Sequence, residues 1–220
     1  MTMVENVTIR RLVKPTADEL DQIASIVVTT LKDGDSIMRA GTSGDEQLMH
    51  AFARSVAAGA AAGAHQYGAF LNDTNRIVGA IAFYGPGIEI CGDETQRSQG
   101  FDDFLKSLPK SALDWFAKFL PEYAAISDAA IGPGVKNASW TMNSFGVLSE
   151  YRGRGIGRAL LEAGEALARA DGIPMIFEAE EKHNISMYQH FGYRVFGEQS
   201  LKGGNGVEDF TLTILRKDFP

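Results

Sequence analysis

The spacing of hydrophobic residues changes period several times along this chain, and each change predicts an element. Val7, Ile9 and Leu12 alternate loosely with polar residues, which predicts a short strand over Val7 to Val13. Thr16-Ala-Asp-Glu19 has the form of a capping box, where Thr16 and Glu19 satisfy each other's backbone N–H groups. Leu20, Ile23, Val27 and Leu31 then follow at steps of three and four, one apolar helix face. A second helix is predicted over about Asp45 to Ala62, with Leu48, Phe52 and Val56 four apart. His65 to Leu71 and Arg76 to Tyr84 read as a strand pair joined by the turn-forming run Asn72-Asp73-Thr74-Asn75.

Residues 92–137 interrupt this order. Phe101, Leu105, Leu108, Leu113, Phe116 and Leu120 are broken by Pro109 and followed by Pro121, which predicts a pair of short helices. They read as an insertion that covers core, or as a lid over a pocket. Ser139 to Leu148 is a further strand. Arg154 to Ala170 is the strongest helix, with Ile156, Leu160, Ala163, Leu167 and Ala170 on one stripe, Gly172 as C-cap and Pro174 as a stop. Ile173 to Ala179 is a buried strand, Ile185 to His190 a short helix, and Tyr193 to Gln199 with Val207 to Arg216 a final strand pair. Repeats and linkers are absent, so residues 1–220 read as one mixed α/β domain.

Composition narrows the function classes. The 21 Lys and Arg against 28 Asp and Glu give a formal net charge of −7, which argues against a generic nucleic-acid binder. One cysteine, Cys91, excludes an internal disulfide framework and a Cys-based zinc cluster, and the four His have no metal-ligand spacing. The opening MTMVENVTIRR lacks an apolar core of leader length, and the longest apolar stretch, about Gly79 to Ile88, is far short of a membrane span. The expectation is a cytoplasmic protein with neither metal nor membrane partner. The charge is unevenly spread: Arg152, Arg154 and Arg158 fall within eight residues that hold no acid.

That locally positive spot is also glycine-rich. Strand, Glu150-Tyr-Arg-Gly-Arg-Gly-Ile-Gly157, then helix is a layout for binding an oxyanion such as a pyrophosphate. The first N–H groups of a helix lack intrahelical acceptors and carry partial positive charge. Gly153, Gly155 and Gly157 let the backbone curl closely around the anion. The alternative is a turn selected only for tight strand–helix packing. A Walker A loop is excluded because Gly157 is followed by Arg158 and Ala159. A dinucleotide fingerprint is weakened by Leu160 at the third small position, although Glu178 lies where a ribose-binding acid would be expected.

The pattern that fits is R-x-x-G-x-G, supplied by Arg152, Gly155 and Gly157. With Phe145 to Leu161 around it and the downstream run Asn184-Ile-Ser-Met-Tyr188-Gln-His-Phe-Gly-Tyr193, the chain resembles the GNAT superfamily of N-acetyltransferases. The resemblance is firm over about 139–199, looser over 1–90 and absent over 92–137. It implies an α+β fold: a central, mostly antiparallel twisted sheet with splayed central strands, flanked by helices. It also implies direct transfer of acetyl from acetyl-CoA to a primary amine of a small acceptor, and the acidic net charge favours a cationic one.

The resemblance implies the site residues in turn. Phe145, Gly146 and Val147 would offer backbone groups to the pantetheine arm. The N–H groups of Arg152, Gly153, Arg154, Gly155, Ile156 and Gly157 would hold the pyrophosphate, with Arg158 beside them, and Asn184 would hydrogen-bond the pantetheine. Tyr188 would protonate the departing thiolate; its plain alternative is a core aromatic beside Phe191. Ser149 stands where the family often has Pro. Apart from the resemblance, Glu178, Glu180 and Glu181 cluster at and just after the Ile173 to Ala179 strand, Glu178 and Glu180 on one face of an extended segment, and Glu178 is the expected general base. Glu180 and Glu181 could equally be solvated, and His183 is a further candidate that could equally be exposed. Two other functions stay open at this point: a non-catalytic acyl-CoA sensor and a nucleotide-binding oxidoreductase.

Overall fold

A computed structural model, which describes residues 3, 4 and 6–219, has two antiparallel sheets that meet at one point. Residues 1, 2 and 5 of the opening run lie outside the described residues. The first sheet runs in chain order: β1 (Met3–Val4), β2 (Val7–Leu12), β3 (His65–Leu71), β4 (Ile77–Tyr84) and β5 (Thr141–Val147). The second consists of β6 (Met175–Ala179), β7 (Arg194–Leu201) and β8 (Phe210–Lys217) in the order β6-β8-β7. Among the described residues every ladder is antiparallel, and the only parallel bridge is Trp140 to Met175, between the two sheets. The doubly wound parallel sheet that a dinucleotide fingerprint serves is therefore not this architecture.

Helices cover both faces. They are α1 (Ala17–Leu31), α2 (Ser36–Gly41), α3 (Glu46–Gly63), α4 (Glu94–Arg97), α5 (Phe101–Ser107), α6 (Lys110–Ile131), α7 (Ile156–Asp171) and α8 (Lys182–His190). Strand β4 is buried at all eight positions, which is why it reads as an apolar run without alternation. On one face Ile77 and Ala80 pack with Ile23, Val27, Ala53 and Ala57 of α1 and α3. On the other, Val78, Ile81 and Phe83 pack with Leu160 and Leu161 of α7.

Several ends form as the sequence predicts. Thr16 and Glu19 complete the capping box at 3.2 and 2.8 Å, and Gly172 closes α7 with φ +65°. Residues 92–137 differ from the prediction: they form three helices, and the last continues through Pro121 to Ile131. Pro121 and Ala117, whose carbonyl loses its donor there, both lie on the solvent face, where water can replace the bond. The segment is not a loose addition. Trp115, Phe119 and Ile126 of α6 pack on Ile176, Leu201, Phe210, Leu212 and Ile214 and supply the core of the second sheet. Among the described residues, no helix is long and apolar enough to cross a membrane.

One buried charge pair joins the layers around the site. Glu165 of α7 is 1% exposed and accepts from Lys217 of β8 at 2.8 Å, and Lys217 also donates to the Phe191 carbonyl just past α8 at 2.8 Å. Removing one partner of such a pair leaves a buried charge uncompensated. Lys217→Met is expected to cost about 3 kcal/mol of stability, read as a lower urea midpoint at unchanged slope. An unchanged midpoint would mean the pair does not hold α7, α8 and β8 together.

Candidate active site

The site grows out of the point where the sheets part. Trp140 N–H donates to the Pro174 carbonyl at 2.9 Å, and Ile176 N–H donates to the Trp140 carbonyl at 2.8 Å. Beyond that bridge β5 and β6 run side by side in the same direction, but no further ladder links them among the described residues. The edge of β5 from Met142 to Val147 is left unpaired. An extended chain with amide groups can add to such an edge as a strand would.

Strand β5 also carries a bulge. Asn143 pairs with Ala82 and Gly146 with Ala80, so Ser144 and Phe145 together oppose Ile81. Ser144 has φ +55°, which is uncommon for a residue with a Cβ. The extra residue resets the alternation. Phe145 and Val147 face α7 and α8, whereas Gly146 faces α1 so closely that a Cβ there would lie 2.3 Å from Thr30 Oγ1.

Past β5 the chain makes the glycine turn. Gly153 and Gly155 have φ +74° and +80°, values that let successive N–H groups point into one concavity. None of the N–H groups of residues 153–158 has an acceptor among the described residues, and the first bond of α7 is Ala159 N–H to the Gly155 carbonyl at 3.0 Å. Six consecutive donors thus lead into the N-terminus of a 16-residue helix without a partner among the described residues. This arrangement fits a pyrophosphate.

The arginines divide differently from the expectation that all three surround the anion. Arg152 Nε bonds the Val147 carbonyl at 3.0 Å, and Arg154 bonds the Glu150 carbonyl at 2.9 Å, so both brace the turn while remaining exposed. Arg158 is drawn along its own helix to Glu162 at 2.7 Å and lies 3.7 Å from Glu165. Backbone N–H groups, with Arg152 and Arg154 nearby, therefore supply most of the cradle.

Tyr188 and Asn184 are one helical turn apart on α8 and share a face. The Tyr188 ring packs against Phe177 of β6 at 4.8 Å and Phe145 of β5 at 6.3 Å, so it spans the parting strands on the α7–α8 side. Its hydroxyl donates to no acceptor among the described residues, and burial raises its pKa, which keeps the proton on. Asn184 is half-buried and its amide has no partner among the described residues. Tyr188 is thus a core aromatic whose protonated hydroxyl is uncommitted among the described residues.

The carboxylates lie on the opposite face. Glu178 and Glu180 do share one face, as the alternation predicts, but they have different surroundings. Lys136 Nζ meets both oxygens of Glu178 at 2.6 Å, Tyr123 donates to it at 2.9 Å, and Ser127 donates as well. Burial and this neighbouring carboxylate push the Tyr123 phenol well above its ordinary pKa. The donors on both oxygens tie Glu178 to α6 and Lys136 and leave it no free lone pair for the proton that the expected base would take. Lys136 and Tyr123 were not singled out in the sequence, because partners 42 and 55 residues away leave no local pattern.

Glu180 accepts from the Ser36 N–H at 3.0 Å and from Ser36 Oγ at 2.6 Å. Beside it opens a groove of about 670 Å³ lined by Ser36, Arg39, Glu180, Glu181, Lys182 and the 206–211 turn, which includes Glu208 and Asp209. Glu181 and His183 are exposed.

Part of the sequence and the overall fold are similar to those of known proteins. Residues 123–195 match the model of the acetyltransferase (GNAT) domain. Among solved structures, a polyamine N-acetyltransferase from Drosophila melanogaster that forms N-acetylagmatine superimposes with a TM-score of 0.60 at 12% identity, over 97% of this chain and 100% of that one. A putative arylalkylamine N-acetyltransferase 7 from the yellow fever mosquito gives 0.62 at 12% identity over 96% and 87%. A GCN5-related N-acetyltransferase from Kribbella flavida gives 0.55 at 17% over 98% and 99%. These likenesses extend the fold through both sheets and the 92–137 helices, where the motifs end.

Glu178→Gln separates an anchor from a base. It is expected to lower stability by roughly 3 kcal/mol in urea unfolding, because Lys136 loses its counter-charge. A variant as stable as the parent would contradict the anchoring role.

Proposed function

We propose, for a chain whose residues 123–195 match the acetyltransferase (GNAT) domain and whose fold is like that of solved N-acetyltransferases, an acetyl-CoA-dependent N-acetyltransferase acting on a primary amine of a small, cationic acceptor. The observation that carries this reading is the run of six acceptor-free N–H groups beside an unpaired strand edge. A pyrophosphate joined to an amide-bearing arm matches both halves of that arrangement. Residues 153–158 would hold the pyrophosphate, β5 from Met142 to Val147 would hold the arm, and Asn184 would bond an arm amide. Acetyl-CoA would supply an acyl carbon activated as a thioester.

The remaining chemistry belongs to the protein. Backbone N–H groups at the Ser144 bulge would face the negative charge that develops on the acyl oxygen, and fixed donors there would lower the barrier. Tyr188, protonated and uncommitted, would supply the proton that the departing sulfur needs. The acceptor would approach from the acidic groove, where Glu180, Glu181, Glu208 and Asp209 outnumber Arg39 and Lys182. The compartment proposed is the cytoplasm, which suits one buried, free Cys91.

Thiol release from acetyl-CoA across a panel of primary amines tests the reading directly. Turnover with di- and polyamines is expected; CoA binding without turnover for any amine would mark an acyl-CoA sensor instead. Tyr188→Phe should lower kcat by about 100-fold or more and leave CoA affinity within a few-fold. An unchanged kcat would remove Tyr188 from the proton path.

A further inference from the structure

The turn between α1 and α2 crosses the gap between the parted strands. At one end Thr30 presses on Gly146 of β5; at the other, Ser36 bonds Glu180 just beyond β6, and a Cβ on Gly34 would lie 3.1 Å from Glu181. Gly146 and Glu180 are six and five residues past the Trp140–Met175 bridge, so the turn spans the gap at its open end. Tyr188 closes the same gap from the other face. Asp35 lies within this crossing turn.

Three carboxylates meet there, and their partners set them apart. Glu178 is neutralised by Lys136, and Glu180 has both oxygens on Ser36. Asp35 caps α2 through Met38 N–H at 2.8 Å and receives no side-chain donor among the described residues. The groups facing it are Glu180 just beyond β6, Tyr123 from α6, and behind Tyr123 the neutralised Lys136–Glu178 pair. Among the described residues, no cation is paired with Asp35 to offset the like charge of Glu180.

We propose that Asp35 is the general base of the acetyl transfer, acting across the gap from Tyr188. This rests on the acetyltransferase reading. The acceptor nitrogen, arriving as an ammonium, loses two protons in all as the C–N bond forms and the C–S bond breaks. One ends on the sulfur by way of Tyr188, and the other is taken by the Asp35 carboxylate and passed to solvent. Burial and Glu180 raise the pKa of Asp35 to about 6. The carboxylate is therefore ionised at neutral pH yet basic enough to accept a proton.

Asp35→Asn keeps a helix-capping side chain, so the fold should survive. Its kcat should fall by about 100-fold or more, and the low-pH limb of kcat/KM, with its inflection near pH 6 in the parent, should disappear. CoA binding should be unchanged. A second readout needs no turnover: the Asp35 carboxyl, followed by ¹³C NMR in the free protein, should titrate near pH 6 and at lower pH in Glu180→Gln. Turnover by Asp35→Asn within a few-fold of an active parent, or an ordinary carboxyl titration, overturns the assignment and leaves the acetyltransferase reading intact. A raised KM with the low-pH limb retained also overturns it, since that is ammonium binding alone. A parent that binds CoA but acetylates no amine overturns the acetyltransferase reading itself, and the base with it.

Discussion

Two hydrogen bonds, from Trp140 N–H to Pro174 and from Ile176 N–H to Trp140, hold together sheets that otherwise diverge. The rest of the site depends on that single bridge. If β5 and β6 remained paired along their length, the edge from Met142 to Val147 would be satisfied by protein and closed to a ligand. If they never met, Tyr188 on one face and the α1–α2 turn on the other would not frame a common gap. Unmet backbone hydrogen bonds are costly only where water cannot reach them. The gap is tolerable because it opens to solvent, and it provides binding groups for the same reason.

Opposite chemistries are sorted onto the two faces of the gap by strand alternation. Odd positions of β6, Met175 and Phe177, pack with α7 and α8, where a phenol sits among aromatic rings. Glu178 and, just beyond the strand, Glu180 meet α6 and α2, where donors and a lysine surround the carboxylates. The Ser144 bulge shifts β5 so that Phe145 faces Tyr188 and Gly146 faces Thr30. One inserted residue thus aligns the two strands' faces in a way that simple alternation from Trp140 would not.

What the sequence made legible is local. The Thr16–Glu19 cap, the Gly172 stop and the Arg152–Gly157 turn each declare themselves within a few residues, because their physics is carried by neighbouring N–H groups and by φ. The strand–turn–helix order around the turn was enough to resemble one family. What stayed hidden is long-range or a matter of degree. Nothing near Glu178 announces Lys136, so a paired carboxylate looked like a free one. Pro121 looked like a stop because the exposure that makes it tolerable depends on where α6 lies. Asp35 belongs to no local motif, and the carboxylate that faces it, Glu180, is 145 positions away.

The central claim is that the acceptor-free amides of residues 153–158 and the open edge of β5 are the binding surface for CoA. Amide hydrogen exchange with and without CoA tests it most directly, since it reads those N–H groups themselves. The account predicts rapid exchange of residues 153–158 and of the β5 edge in the free protein, slowed by about tenfold or more when CoA is saturating. Unchanged exchange in both segments under saturating CoA would contradict it.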